Sequence, residues 1–429
     1  MISYDPPELK EKILAAFNTL SFVDGDIEEI EVDVILDENR NSDYDVTITE
    51  DSVVCLSMGE DTPPITTVKY ILIVSENWES AKINNSQSYA SNRFEVDFLL
   101  NITDYNTLML IEGLERSSNP IIWSADQGTE LWKTKISIEG KIYYISIYNG
   151  FCLYHLKVRE SKNYDEYFSD YSEHDYFVRI TGDNVDQMVA DSLAVSFVFE
   201  LQSTHNILLS FSEGRPDFEE VYYEDGALTD HPFEVFPLLY GRGIKELLGI
   251  YNKAKVTYDE DYKILSFTKV IEYISPTIAK AKLYDQARLK LSSPAVFAPS
   301  ADYVNELGEI FRKHQTNISK DSELIRIAII TVVELEELWN EIPLFYKPGK
   351  QSCFADINDD NKIVCLDKII AGVNDTRNEI AHAKANYEKK GNECPPKDKQ
   401  QFVKMLDVIA VRCIRWFGMQ SDNRRVIME

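Results

Sequence analysis

Apolar and polar residues alternate along much of the chain from about residue 29 to residue 212. This period of two is typical of strands that bury one face, and it occurs in 29–36, 68–74, 94–102 and 193–202. Residues 135–150 form two further alternating runs around Glu139 and Gly140, which predicts a β-hairpin. Residues 8–18 are the one long stretch with helical spacing here. The pattern predicts a β-rich domain that is a sandwich or barrel-like.

The period changes near residue 240, where apolar residues begin to recur every three or four positions. This helical spacing is found in 243–256, 262–276, 301–316, 321–342, 363–386 and 399–417. Prolines and glycines interrupt it at 343–361 and again at 389–398. We therefore predict a two-part protein of the α+β class, with a β-rich domain over 1–239 and an all-α bundle over 240–429.

The acidic charge of the chain is concentrated in its N-terminal part. Residues 301–429 carry 19 Lys and Arg against 21 Asp and Glu, so residues 1–300 hold −26 of the net charge of −28. A surface of this kind repels nucleic-acid backbones. We therefore expect any contact with RNA in the C-terminal part, and a basic protein or solvent at the acidic part.

Neither a leader nor a membrane segment is evident in the sequence. The first residues lack a basic stretch followed by an apolar core, and the most apolar run, 324–333, is too short to cross a bilayer and contains Arg326. The six cysteines form no C-x-x-C pair and have no histidine at zinc-finger spacing. We expect a cytoplasmic protein with isolated reduced thiols, no metal and no cofactor.

Arg377 interrupts the apolar stripe of the predicted helix 363–386. The other members of that stripe are Leu366, Ile370, Val373 and Ile380. A guanidinium at such a position is costly unless it is paired or lies at an opening to water. Arg377 is therefore expected either to have an acidic partner or to border a cleft.

Asn378 and His382 lie on the same side of this helix as Arg377. At about 100° per residue, they fall about 100° and 140° from the arginine, with Ala381 at about 40° and Ala385 at about 80° in the same sector. The short side chains of the two alanines would leave a shallow trough. Asn378 and His382 are four residues apart, so the amide could hydrogen-bond the imidazole and orient it.

These side chains suit the cleavage of RNA without a metal ion. Attack of a 2′-hydroxyl on the adjacent phosphate needs one group to transfer a proton and another to stabilise negative charge. Histidine can do the first near neutral pH. Arginine can do the second because it is always charged and binds phosphate oxygens through two nitrogens.

The segment Arg377-Asn378-Glu379-Ile380-Ala381-His382 resembles the R-x4–6-H motif of the HEPN ribonuclease superfamily. In that family a polar residue commonly follows the arginine, as Asn378 does here. The resemblance implies an all-helical bundle in which two copies of the motif form one composite cleft at a homodimer interface. It also implies a metal-independent endoribonuclease, with Arg377, Asn378 and His382 as catalytic residues and 2′,3′-cyclic phosphate products.

The order of the two domains resembles that of the ApeA-type anti-phage proteins, in which a HEPN domain follows a β-rich domain. This resemblance concerns the architecture, and no motif of the N-terminal domain carries it. It implies a bacterial abortive-infection system. The ribonuclease would stay inactive until a phage-encoded protein acts at the N-terminal domain, and would then cut host RNA such as tRNA.

Other charged residues could support this site. Basic residues that could contact phosphates follow the motif, namely Lys384, Lys389, Lys390, Arg412 and Arg415. Glu336 interrupts an apolar stripe within 321–342 and could pair with Arg377 in the resting bundle. Glu334 and Glu337 are equally suited to that role.

Three other interpretations stay open at this stage. Arg377 could simply pair with an acid while His382 fills a gap in the packing. The helical domain could be a HEPN-like module without catalytic activity that dimerises or binds a partner, beside an acidic protein-binding domain. The acidic domain could instead mimic a nucleic acid and occupy a basic phage protein.

Overall fold

The computed structural model describes residues 2–20, 46–55, 65–83, 89–118, 128–161, 171–172, 175–212, 235–318, 320–350, 353–382 and 388–427. The chain divides into two compact units, Met1–Leu238 and Leu239–Glu429. Strands and helices both occur in the first unit, whereas the described elements of the second are helices. The α+β class and the two-part organisation are thus confirmed. The predicted strand 29–36 lies outside the described residues.

The N-terminal unit contains five helices and eleven strands in its described residues. The helices are α1 (Leu9–Leu20), α2 (Val68–Glu76), α3 (Tyr105–Ser118), α4 (Leu153–Ser161) and α5 (Gln187–His205). The strands are β1 (Ile2–Tyr4), β2 (Val46–Ile48), β3 (Val53–Cys55), β4 (Ile65–Thr67), β5 (Lys82–Ile83), β6 (Tyr89–Ser91), β7 (Glu95–Asn101), β8 (Thr129–Ile138), β9 (Lys141–Asn149), β10 (Tyr176–Thr181) and β11 (Ser210–Phe211).

The main sheet of this unit is antiparallel and has the order β5-β6-β7-β10-β9-β8, with β11 also paired to β7. β1 pairs with β2, and β3 with β4, in two small separate sheets. The predicted hairpin is confirmed as β8 and β9, in which Ile138 faces Lys141. Glu139 and Gly140 connect them with φ values of 50° and 80°. Two consecutive left-handed residues are what a two-residue type I′ turn requires.

Helices cover the main sheet on both faces. α1, α2 and α4 pack on one face in a core that includes Leu99 and Phe177. α3 and α5 pack on the other face in a core that includes Val96 and Val178. The expected sandwich or barrel-like form is therefore wrong. β7 is buried on both faces from Glu95 to Leu100, and a strand of this kind needs a layer on each side.

Two predicted strands, 68–74 and 193–202, are helical. They lie in α2 and α5, which begin at side-chain caps. Thr67 accepts a hydrogen bond from the Tyr70 amide, and Asp186 accepts from the amides of Met188 and Val189. Ten residues of α5 are buried around its circumference. In a helix that is buried on all sides, apolar residues no longer recur every 3.6 positions, so its sequence is easily mistaken for that of a strand.

The described elements of the C-terminal unit are all helical, in agreement with the sequence. The helices are α6 (Ile244–Val256), α7 (Glu260–Leu291), α8 (Ala301–Ile318), α9 (Asp321–Val332), α10 (Leu335–Leu338), α11 (Asp359–Ala381) and α12 (Lys399–Gly418). Short 3-10 turns lie between them. The segment predicted as one helix over 321–342 is interrupted after Val332. The helix predicted over 363–386 begins earlier, at Asp359, and ends at Ala381.

α7 is the central helix of this bundle and packs against α6, α8, α9, α11 and α12. It begins at Asp259, whose carboxylate accepts hydrogen bonds from two first-turn amides. Pro276 lies inside the helix. Proline has no amide hydrogen, so the carbonyl of Glu272 cannot receive its usual helical hydrogen bond. Apart from Ala287, the buried residues of α7 end at Ala279, and the rest of the helix extends beyond the core with α8.

Two other expectations concern membranes and thiols. Among the described helices, none has the length and apolar character needed to cross a bilayer. The cysteines whose side chains are described are free thiols, namely Cys152, Cys353, Cys365, Cys394 and Cys413.

Candidate active site

α11 carries the arginine motif and is defined by its capping residues. The Asn358 side chain accepts a hydrogen bond from the Asn361 amide, and Asp359 and Asp360 occupy the first turn, where acidic side chains favour the helix dipole. At the other end, the His382 amide donates to the carbonyl of Asn378 at 3.0 Å. His382 is therefore the C-cap residue of α11 rather than a residue within the helix.

The buried face of α11 overlaps only in part with the predicted stripe. Ile370 and Val373 of that stripe are buried, but so are Cys365, Ile369 and Thr376 beside it. Leu366 and Ile380, the two ends of the predicted stripe, are half-buried. Arg377 therefore lies at the border of the buried stripe, and its side chain is 27% exposed.

Arg377 pairs with an acid on the central helix. Its Nη2 lies 3.0 Å from Oε1 of Glu272 in α7. Its Nη1 donates a hydrogen bond of 2.9 Å to Oδ1 of Asn378. The expectation that Glu336 is the resting partner is therefore wrong. Glu336 is exposed on α10, whereas α7 packs directly against α11 and brings Glu272 to the arginine.

The alternative partners, Glu334 and Glu337, do not pair with Arg377 either. Glu334 is exposed, and Glu337 pairs with Arg412 of α12. Glu272 differs from these acids because it is partly withdrawn from water. Burial raises its pKa, and nearby Asp321 adds to this, while Arg377 opposes it. The carboxylate that holds Arg377 thus takes up a proton more readily than an exposed glutamate.

A cleft of about 470 Å³ lies beside this ion pair. It is lined by Glu272, Pro276, Lys280, His314, Asp321, Leu324 and Val426. Its charged residues are mixed in sign and surround an apolar floor. Arg377 is not among the lining residues, and it is connected to the cleft through its ion pair with Glu272. A negatively charged group that reached the guanidinium would compete with Glu272 for it.

Asn378 and His382 do not form the predicted pair of side chains. The amide oxygen of Asn378 accepts its hydrogen bond from Arg377, so its contact with His382 is through the backbone. The His382 side chain is exposed. Arg377 and His382, both of which the structure describes, share no hydrogen bond. Ala381 is exposed, in keeping with a shallow surface at the end of the helix.

The predicted phosphate-contacting residues are mostly neutralised by acids. Lys389 lies 2.7 Å from Glu379, and Lys390 lies 2.9 Å from Asp375. Arg412 pairs with Glu337, and Arg415 is half-buried on α12. Lys384 lies outside the described residues. An anion that binds Lys389, Lys390 or Arg412 would therefore meet a cation that already has a carboxylate beside it.

Residues 388–395 are docked onto α11 through polar groups. The buried carboxylate of Asp375 accepts hydrogen bonds from Lys390 Nζ at 2.9 Å and from Asn392 Nδ2 at 3.0 Å. The hydroxyl of Thr376 accepts from the Cys394 amide at 2.8 Å. The two acceptors are the two residues before Arg377, so this segment helps to fix the backbone that carries the arginine.

The N-terminal unit contains a second arginine cluster, which is closed to solvent. Arg179 Nε donates to Oδ1 of Asp97 at 2.8 Å, and its guanidinium lies 3.4 Å from the centre of the Tyr148 ring. Glu95 is a second buried carboxyl and accepts from the Tyr70 hydroxyl at 2.6 Å. Burial, together with Asp97, raises the pKa of Glu95 to about 7 against the opposing effect of Arg179.

A buried chain of a thiol, an imidazole and a carboxylate occupies the start of α4. His155 Nδ1 accepts from the Cys152 amide at 3.1 Å and lies 3.3 Å from its Sγ, and His155 Nε2 lies 3.2 Å from Oδ2 of Asp175. Nucleophilic thiols are found in such chains. Here the three residues are at most 1% exposed, and burial and Asp97 hold the pKa of Cys152 well above its usual range. The imidazole therefore acts as a helix cap, like the glutamate of a capping box.

Sequence reasoning missed Glu272 and His314, which both line the cleft. Glu272 follows Val270 and Ile271, so an acid beside the apolar stripe of a neighbouring helix was the available signal. The sequence could not show which acid meets Arg377, because that depends on how α7 crosses α11. His314 had no comparable signal. Among the described residues, no group of three or more His, Cys, Asp and Glu could hold a metal ion.

Comparison with known protein families, with curated proteins and with solved structures finds no match to this chain. The resemblance to the HEPN superfamily therefore rests on the residues of the motif and on the helical unit that carries them.

Proposed function

We propose that the C-terminal unit is a metal-independent endoribonuclease of a bacterial anti-phage system that acts by abortive infection. The observation that supports this most is the position of Arg377. It is a permanently charged group, half-exposed beside a cleft and held by a partner that an anion could replace. The proposed substrate is host RNA, with tRNA as the expected class, and the products would end in 2′,3′-cyclic phosphates.

We assign Arg377 to binding the scissile phosphate. A guanidinium binds two phosphate oxygens at once and would stabilise the charge that develops on them. In the resting protein the guanidinium of Arg377 is paired with the Glu272 carboxylate, so RNA binding would replace this carboxylate by a phosphate. Asn378 is assigned to orient the guanidinium, because its side chain hydrogen-bonds Arg377.

His382 is assigned to proton transfer. Its exposed ring at the end of α11 can reach an RNA strand that lies across the helix terminus, and histidine exchanges protons near neutral pH. Because no hydrogen bond joins His382 to Arg377, the RNA backbone would have to connect the two groups. A composite cleft formed by two copies of the chain, as in the HEPN resemblance, is one way to provide this.

The N-terminal unit is assigned to regulation. The acidic charge of residues 1–300 favours a basic protein as its partner, and a phage-encoded protein is the proposed trigger. Binding there would release the ribonuclease activity of the helical unit.

The test is cleavage of total RNA in EDTA by the purified protein, with and without lysate of phage-infected cells to supply the trigger, and with the lysate alone as background. We expect cleavage above background by the triggered wild type and a loss of about 100-fold or more in Arg377→Ala and in His382→Ala. Arg326→Ala removes a more exposed arginine of the same unit and serves as the matched control, with His205→Ala for the histidine. Cleavage that requires added metal, or that survives both site substitutions, would refute the assignment.

The second candidate is a HEPN-like module without catalytic activity that dimerises or binds a partner through the helical unit. The acid pairs of Arg377, Lys389 and Lys390 favour it, because they give these residues a structural role without RNA. It predicts no cleavage by any preparation, including protein incubated with phage-infected lysate.

A further inference from the structure

A helical hairpin extends from the bundle of the C-terminal unit. It consists of α7 from Lys280 onward, the short 3-10 turn Pro294–Phe297, and α8. Over 280–291, Ala287 is the one buried residue, and over 301–316 Tyr303 is the one buried residue. Two helices that pack only on each other bury little apolar surface, whereas four helices can enclose a core.

Large apolar side chains are exposed along this hairpin. They are Tyr284, Leu289, Leu291, Phe297, Val304 and Phe311, with Phe297 at 89% and Leu289 at 78% exposure. Tyr284 and Leu291 are seven residues apart on α7, and Val304 and Phe311 are seven apart on α8. A spacing of seven keeps side chains on one side of a helix, as in the seam of a helical bundle. Each helix therefore presents an apolar stripe that its own hairpin leaves uncovered.

The two helices of the hairpin have opposite charge next to the turn that joins them. Residues 280–291 contain four Lys and Arg and one Asp, a net charge of +3. Residues 301–311 contain three acids and no basic residue, but Arg312 and Lys313 follow, so α8 as a whole has a net charge of −1. Within the hairpin, Lys290 already pairs with Glu306. When two hairpins form a bundle of four helices, each α7 can lie next to α8 of its own chain and next to α8 of the second chain. The basic residues of α7 then face acidic residues of α8 both within the chain and between the two chains.

We propose that this hairpin docks on the same hairpin of a second copy of the chain and forms a four-helix bundle about a two-fold axis. A two-fold interface requires a self-complementary surface, which the apolar stripes and the opposite charges provide. A nucleic acid or an anionic membrane would be attracted to α7 but repelled by α8. The proposed interface consists of the hairpin alone and does not include α11, so it depends neither on the arginine motif nor on RNA cleavage.

Gly308 allows a test that leaves the fold intact. It lies on α8 four residues after Val304 and three before Phe311, so it shares their stripe, and a Cβ placed on it would meet no atom within 4 Å. Gly308→Trp would block the approach of a second hairpin without disturbing its own chain. Gly249→Trp in α6 is the matched control, since Gly249 is also helical, exposed and in open space.

The experiment measures the mass of the full chain in solution by light scattering and by sedimentation over a range of concentrations. We expect a dimer for the wild type and for Gly249→Trp. Gly308→Trp is expected to raise the dimer dissociation constant at least 100-fold, with an unchanged circular dichroism spectrum. Phe311→Ser, compared with Phe345→Ser at a similarly exposed site outside the hairpin, should give the same contrast.

Two results would overturn the proposal. One is a wild-type chain that is monomeric at 100-fold the concentration used for activity, which would leave the hairpin to a different partner. The other is a dimer whose dissociation constant is the same in Gly308→Trp and Gly249→Trp, which would place the interface elsewhere. An intact dimer that cleaves no RNA would refute the ribonuclease and leave this interface standing.

Discussion

The two arginine clusters of the molecule differ chiefly in their access to water. Arg179 of β10 pairs with Asp97 of the neighbouring strand β7 and lies against the ring of Tyr148. Its side chain is 9% exposed. Arg377 meets Glu272 between two helices, beside a cleft, with 27% of its side chain exposed. Both are arginine–carboxylate pairs at hydrogen-bonding distance.

This difference in access separates a structural ion pair from one that can exchange its partner. A buried charge without its counter-charge is very unfavourable, so Arg179 and Asp97 hold each other in place. A half-exposed arginine can trade its carboxylate for water or for another anion at small cost. Of the two clusters, only that of Arg377 therefore suits the binding of a ligand.

The largest expected effect is the loss of the buried arginine. Arg179→Met would leave Asp97 and Glu95 buried without a cation and should lower the stability of the N-terminal unit by about 3–5 kcal/mol. Arg377→Met should cost less, about 1–2 kcal/mol, because it leaves only the partly buried carboxylate of Glu272 without its cation. Urea unfolding of the full chain, with hydrogen exchange read separately in β7 and in α11, would measure both. An equal loss of stability in Arg179→Met and Arg377→Met would contradict the prediction that the more buried arginine contributes more.

The next effect concerns the pH dependence of stability at Glu95. Its pKa is about 7 in the folded protein and near 4.5 in an unfolded chain, so between these values the folded state keeps a proton that the unfolded state has released. Stability should therefore fall as pH rises through this range, by about 1.4 kcal/mol per unit, and level off above pH 7.

Glu95→Gln should remove this decline, because the amide stays neutral and can still accept from Tyr70. Glu79→Gln, the same change at an exposed position, should leave the decline as it is. Thermal unfolding of the three proteins from pH 5 to pH 8 measures the effect. A decline that persists in Glu95→Gln would assign it to another group.

The smallest effect is expected at the partner of Arg377. Glu272→Gln removes the competing charge and should strengthen the binding of single-stranded RNA by up to about five-fold, which corresponds to 1 kcal/mol. Anisotropy of labelled RNA, measured in a His382→Ala background, would detect it. Glu246→Gln changes the net charge equally at an exposed site of the same unit. An equal gain in both variants would mean that Glu272 does not restrain Arg377.

Local signals made part of the fold predictable. The β8–β9 hairpin follows from two alternating runs around a turn whose residues accept positive φ, and the helical unit follows from its period. α5 was missed because burial around its circumference removes the contrast between its faces, and α2 was missed because half-buried Leu72 and Ile73 join buried Ile71 and Val74 in one apolar run. Their caps, Thr67 and Asp186, were visible in the sequence and would have corrected the interpretation.

The candidate site was predictable only as far as one helix allows. The arginine on an apolar stripe indicated either an acidic partner or an opening to water, and Arg377 has an acidic partner and lies beside a cleft. The identity of that partner could not be read from the sequence, because Glu272 and Glu336 both interrupt apolar stretches. The hydrogen-bond partner of the Asn378 side chain was predicted wrongly, because helical spacing favours a contact with His382, whereas the amide oxygen accepts from the guanidinium of Arg377.

The surroundings of α7 change after Ala279, three residues beyond Pro276. Up to Ala279 the buried side of the helix is fixed by the packed interior, where a substitution leaves a void or a clash. Beyond Ala279 the helix faces mostly water, so the identity of its residues is free to vary as long as the helix persists. A lineage could therefore alter what α7 and α8 recognise, by changes beyond Ala279, without rebuilding the bundle around Arg377.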